Sequence, residues 1–172
     1  MAAEKVLGGA VIVLNHDLHD LKDCHDFIKV VSLLVMEYKD GHITSEIIAA
    51  AIEVHKTLGN GFPELIYQRA LEIEFGNRKL TAIREFEMPL YYKGQIIGNR
   101  RVDFLFDNKI CVELKAVATL IDVHLAQALN YLEALNLEIG LLLNFGSRSL
   151  EIKRLHNEKY SPFVNFNSNK PI

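Results

Sequence analysis

The run Ile139–Phe145 carries no charged side chain and almost no polarity, and its neighbours fix what it can be. Upstream, residues 120–135 place Ile121, Leu125, Ala128, Leu129 and Leu132 on one stripe of an amphipathic helix. Downstream, Gly146-Ser147-Arg148-Ser149 turns the chain into a last strand, Leu150 to Leu155. A strand that is apolar on both faces has to be covered on both faces. A helical crossover into such a strand, followed by an antiparallel return, confines the chain to a mixed β-sheet with helices packed on it.

The other elements fit that frame. Thr44 and Ser45 are helix caps, with Glu46 in the first turn and Ile47, Ile48, Ala51, Ile52 and Val54 as the apolar stripe. Gly59-Asn60-Gly61 ends this helix. Pro63 opens a second, roughly 63–78, whose expected apolar face is Ile66, Ala70 and Ile73. Phe86, Met88 and Leu90 alternate in a strand that Pro89 assigns to a sheet edge or a bulge. Lys93-Gly94 turns into a strand from Gln95 to Phe106. The order is helix, helix, three strands in meander, helix, strand, strand. One α/β domain over 44–155 accounts for it, with an irregular, polar tail over 156–172.

Residues 1–43 have a different pattern and read as an N-terminal extension. A degenerate three-residue repeat places His16, His19 and His25 where a helix could gather them round a metal. Phe27 to Lys39 would continue as a helix ended by Asp40-Gly41. A chain beginning at Met36 is expected to fold and bind metal equally well.

Composition excludes several classes. The apolar runs Val6–Leu14 and Val30–Met36 are too short to span a bilayer. Cys24 and Cys111 show neither zinc nor disulfide-framework spacing, which fits a reducing cytoplasm. The net charge of −3 argues against broad capture of nucleic acid. It is unevenly placed: residues 1–75 hold 6 Lys and Arg against 12 Asp and Glu, whereas residues 76–172 hold 13 against 10. The second half therefore permits a phosphate-bearing partner.

The chemistry concentrates in Arg101–Lys115, which reads as a β-hairpin. Val102, Phe104 and Phe106 alternate with Arg101, Asp103 and Leu105; Val112 and Leu114 alternate with Cys111, Glu113 and Lys115. An acid and a lysine on a mostly apolar strand are costly unless paired or used. With Asp103 on the opposing arm, two carboxylates and an amine converge and could hold a hard divalent cation and a water. A cross-strand salt bridge is the plainer reading. If Asp103 and Glu113 share a face, the loop should be Asp107-Asn108-Lys109, with Asn108 or Lys109 left-handed. Glu64 and Tyr67 share a face of the second helix, where a first-turn acid and a half-buried aromatic are also ordinary.

Asp103, nine intervening residues and Glu113-Leu114-Lys115 together resemble the active-site signature of the PD-(D/E)xK nuclease superfamily, with Val102 in place of the proline. Gln127-Ala128-Leu129-Asn130-Tyr131 looks like the QxxxY motif of the subset related to helicase-associated exonucleases. Gly61-Phe62-Pro63-Glu64-Leu65-Ile66-Tyr67 is similar to the GxxExxY motif of one small bacterial and archaeal family. The resemblance covers roughly Ile43 to Leu155.

It implies a restriction-endonuclease-like core and hydrolysis of phosphodiester bonds in nucleic acid, DNA ahead of RNA, with Mg²⁺ or Mn²⁺ as cofactor. Asp103 and Glu113 would ligate the metal, with Glu64 as a third acid directly or through water. Lys115 would orient or help deprotonate the attacking water. Tyr67, Gln127 and Tyr131 would buttress the site or touch the substrate. The resemblance leaves a homodimer open and implies no membrane partner. Two other readings stand beside it: a catalytically silent nucleic-acid-binding or assembly module on the same fold, and a structural or histidine-metal protein working through its N-terminal segment.

Overall fold

The computed structural model describes residues 39–162. The histidine cluster and the expectations for a chain starting at Met36 lie outside these residues. The elements run α1 (Gly41–Leu58), α2 (Glu64–Asn77), β1 (Ala82–Tyr92), β2 (Gln95–Phe106), β3 (Ile110–Lys115), α3 (Asp122–Ala134), β4 (Ile139–Asn144) and β5 (Glu151–His156). The strands form one sheet in the order β1-β2-β3-β4-β5. Only the β3–β4 pair, which α3 connects, is parallel. This is the mixed α/β sheet expected, with β1 and Pro89 at an edge.

Two cores flank the sheet. On one side Ile47, Ile48, Ala51 and Val54 of α1 and Tyr67, Leu71 and Phe75 of α2 pack on Phe104, Phe106, Val112, Leu114, Leu141 and Leu143. Phe75 meets Phe104 and Phe106 edge-on, at centroid distances of 5.1 and 4.9 Å. On the other side Ala128, Tyr131 and Leu132 of α3 pack on Met88, Val102, Leu105, Cys111, Leu142 and Leu155. Every residue of β4 is buried, as a strand between two helical layers must be.

Four local expectations are corrected. The first helix starts at Gly41, after a left-handed Asp40 (φ 55°), three residues ahead of the expected caps Thr44 and Ser45; of the helix expected over Phe27–Lys39, all but Lys39 lies outside the described residues. Thr44 lies inside α1, with its hydroxyl donating back to the Gly41 carbonyl at 3.1 Å. In α2 the buried stripe is Tyr67, Gln68, Leu71 and Phe75, while Ile73 is 66% exposed. Both stripes have helical spacing, but the aromatic one fills the space over Phe104 and Phe106. Ile121 likewise is exposed rather than facing the sheet, because it precedes the first turn of α3. Lastly, Val102 leaves the face of Phe104 and Phe106 and joins the α3 side. The β1–β2 ladder passes from Arg84–Phe104 to Phe86–Val102 with no pair between them, and Glu85 there has a left-handed backbone (φ 53°). That irregularity resets the two-residue alternation at Asp103.

The β2–β3 hairpin has the expected register. Phe106 pairs with Ile110, which leaves Asp107-Asn108-Lys109 as the loop. Asp107 and Asn108 are both left-handed, at φ 50° and 53°. The Lys109 N–H donates to the Phe106 carbonyl at 2.8 Å. Continued past Phe104–Val112, this register sets Asp103 opposite Glu113. Beyond β5, Asn157 is buried and donates to the Leu137 carbonyl at 2.9 Å, so the start of the polar tail is tied to the loop before β4.

Candidate active site

Asp103 lies where β2 parts from β3, beside the gap in the β1–β2 ladder. Its carboxylate replaces the missing ladder bonds. Oδ2 accepts the Leu114 N–H at 2.7 Å, and Oδ1 accepts from Gln68 Nε2 of α2 at 3.0 Å. Burial pushes the Asp103 carboxyl above its ordinary range, against the Leu114 hydrogen bond, the Lys115 charge and the Gln68 hydrogen bond.

Glu113 is 5% exposed. Its Oε1 accepts from Lys115 Nζ at 2.8 Å, and its Oε2 is buried with no hydrogen-bond partner. Burial and the neighbouring Asp103 charge push its pKa up to about 7, opposed by Lys115 and assisted by Glu64. Lys115 Nζ also donates to the Leu114 carbonyl at 2.9 Å. Burial disfavours this ammonium, but Glu113, Glu64 and Asp103 outweigh it and hold its pKa above the usual lysine value. Glu64, in the first turn of α2, is half-buried. Desolvation raises its carboxyl, Lys115 lowers it and Asp103 raises it again. Three acids and one lysine thus share a single electrostatic neighbourhood.

Among the described residues, the remaining expected site residues make no hydrogen bond to this group. Tyr67 is fully buried and stacks on Phe145 at 4.6 Å. Its hydroxyl donates to the Gly59 carbonyl at 2.8 Å and accepts the Phe62 N–H at 3.2 Å. It therefore fixes the loop that delivers Glu64 to the site. Gln127 Nε2 donates to the Tyr131 hydroxyl at 2.7 Å. Tyr131 is buried in the α3 core and Gln127 is half-buried; among the described residues neither has a hydrogen bond to the acids.

Two polar residues were not singled out from the sequence. Gln68 stands one helical turn after Glu64, a spacing that puts both on one face and could have flagged it. Its Oε1 is buried without a partner. Asn144 is fully buried opposite Lys115. Its Oδ1 accepts the N–H groups of Val117 and Gly146 at 3.0 and 3.1 Å, and its Nδ2 donates to Glu151 at 2.6 Å. This amide ties the chain leaving Lys115 to the chain leaving β4.

Among the described residues, no three His, Cys, Asp or Glu side chains form a ready-made metal cage. The donor chemistry nevertheless fits a divalent cation. Mg²⁺ takes one or two carboxylates and completes its shell with waters and phosphate oxygens. Buried acceptors without donors, Glu113 Oε2 and Gln68 Oε1, and acids that repel one another in low dielectric are relieved by a positive charge.

No curated protein and no solved structure matches the sequence. A family model does match, over residues 41–155, which is more than half of the chain and contains Glu64, Asp103, Glu113, Lys115 and both flanking helical layers. By that match the chain belongs to the PD-(D/E)XK nuclease superfamily.

Proposed function

We propose that the protein is a metal-dependent nuclease that hydrolyses phosphodiester bonds, with DNA as its substrate, and that it represents the GxxExxY branch of its superfamily. The observation that carries this reading is the buried Glu113 carboxylate: one oxygen is held by Lys115, the other has no donor, and Asp103 and Glu64 bear on it electrostatically. A salt bridge alone would leave that second oxygen and two further acids unexplained.

Asp103 and Glu113 would hold Mg²⁺ or Mn²⁺, with Glu64 as a third acid directly or through a water. When bound, the ion supplies Lewis acidity and a more acidic water. Gln68 and the Leu114 N–H hold the Asp103 carboxylate in place. Lys115 would orient or help deprotonate the attacking water and offset charge growing on the phosphate. Tyr67 positions Glu64 through the Gly59–Phe62 loop and does not touch substrate. Tyr131 buttresses Gln127, the more exposed of the pair and the one able to meet a backbone phosphate. A reducing, cytoplasmic setting is supported by Cys111, a free and buried thiol.

Incubation with linear, nicked, branched and single-stranded DNA, and with RNA, in Mg²⁺ and in Mn²⁺, beside Glu113→Ala, tests this reading. Metal-dependent cleavage of DNA that Glu113→Ala abolishes is the expected result. Cleavage that persists in Glu113→Ala sinks the assignment. Binding without turnover across the whole panel would favour the silent-module reading.

A further inference from the structure

β1 and β2 continue well past the sheet that holds the site. β3 pairs with β2 only at Phe104, Leu105 and Phe106. Residues 95–103 of β2 therefore have β1 as their sole strand partner among the described residues. The two strands continue past Asp103 as a ribbon whose base, through Val102 and Met88, still packs on the α3 core, and end in a two-residue turn, Lys93-Gly94, with both residues left-handed (φ 48° and 79°). At the rise of a strand, the ribbon reaches roughly 25 Å beyond the site. Its base is anchored by Met88, buried against the α3 core. Farther out, every residue from Tyr92 to Arg101 is exposed, including Ile96 at 63% and Ile97 at 67%.

The outer part of the ribbon is basic. Glu85 and Glu87 lie at the base of its β1 arm, Glu87 opposite Arg101; farther out, from Met88 to Val102, the chain has three basic residues, Lys93, Arg100 and Arg101, and no acid, although the whole protein is net negative. Arg101 is paired with Glu85 at 3.5 Å. Among the described residues Lys93 and Arg100 have no carboxylate partner; Lys93 lies over the ring of Tyr92 at 5.5 Å. A strand pair with open edges and exposed isoleucines invites self-association unless it serves a partner.

We infer that the β1–β2 ribbon is the substrate grip of this nuclease, an arm that lies along double-stranded DNA and binds its phosphates through Lys93 and Arg100. The inference deepens the proposed nuclease function and rests on it. A two-stranded ribbon fits the width of a B-form major groove. Because the arm leaves the sheet at Asp103, duplex held along it runs directly into the acids. Phosphate contacts of this kind carry affinity and orientation without sequence preference.

The test is binding of a fluorescently labelled mixed-sequence duplex to the full chain in EDTA, by anisotropy across a salt series. Lys93→Ala combined with Arg100→Ala should weaken binding by at least about 10-fold and lower the slope of log K against log salt by about two. Lys56→Ala, an exposed lysine on α1, should bind as the wild type does. An unchanged slope in the double variant overturns the proposal, as does an equal loss in Lys56→Ala. So does tighter binding of the matching single strand than of the duplex. A wild-type dimer that Ile97→Asp splits, with DNA binding unaltered, would make the ribbon a self-association surface instead. The two readings fail separately: loss of binding in the double variant with no cleavage by the wild type keeps the arm and removes the nuclease.

Discussion

The Asp103 carboxylate accepts the backbone N–H of Leu114, across the hairpin, at 2.7 Å. The same side chain that would ligate a cation therefore closes the sheet where β2 departs from β3. Its two roles separate by substitution. Asp103→Ala leaves the Leu114 N–H without that acceptor and should cost about 1–3 kcal/mol in urea denaturation. Asp103→Asn retains an acceptor and removes one of the mutually repelling charges, so its stability should stay near wild type while cleavage is lost. Equal stability of Asp103→Ala and wild type would mean that the bond contributes nothing to the fold.

Glu113 makes the metal-free protein sensitive to pH in an unusual direction. Its pKa rises on folding from 4.5 to about 7, first through burial and then through Asp103. Between those values the folded state holds a proton that the unfolded state has released, so stability falls as pH rises through the window. The shift corresponds to a loss of up to about 3 kcal/mol. Asp103 and Glu64, both raised, act in the same sense. Denaturation in EDTA should show this decline, Glu113→Gln should flatten it, and added Mn²⁺ should reverse it. A wild-type slope no steeper than that of Glu113→Gln would refute the burial of an ionisable carboxyl at this position.

Much of this architecture was legible in the sequence because it rests on local periodicity. The uncharged run at β4 demanded cover on both faces, and the odd loop Asp107–Lys109 set the register that brings Asp103 opposite Glu113. What escaped depends on distant partners. Two apolar stripes compete on α2, and only the aromatic side chains of the facing strands decide that Tyr67, Leu71 and Phe75 turn inward. Val102 changes face at a gap in the β1–β2 ladder, where Glu85 on the other strand is left-handed. Gln68 and Asn144 look like ordinary amides until Asp103 and Val117 are placed against them.

Gly146 should prove far less tolerant than Gly140. A Cβ at Gly146 would lie 2.3 Å from Val117 N and 2.4 Å from Ala116 C, backbone atoms that cannot swing aside. The nearest atoms to a Cβ at Gly140 belong to the flexible Leu132 side chain, from 2.9 Å. Gly146→Ala must push away the segment that follows Lys115, at a cost of about 1–3 kcal/mol or more. Thermal and urea unfolding of both variants provide the check; equal losses would show that the Gly146 contact is loose.

Glu113→Gln and Lys115→Met should fail in different ways. Gln keeps the shape of Glu113 and removes the charge a hard cation needs, so Mn²⁺ affinity and cleavage should fall together. Lys115 holds Glu113 Oε1 at 2.8 Å and opposes any cation placed there. Met keeps most of its length without its charge, so Mn²⁺ should bind at least as well as to the wild type. Hydrolysis should nevertheless drop by roughly 10²-fold or more, because the group that orients the water and offsets phosphate charge is gone. Calorimetry with Mn²⁺ beside single-turnover cleavage separates the two. Wild-type cutting by Lys115→Met would reduce Lys115 to a salt-bridge partner, and normal Mn²⁺ binding by Glu113→Gln would remove Glu113 from the metal site.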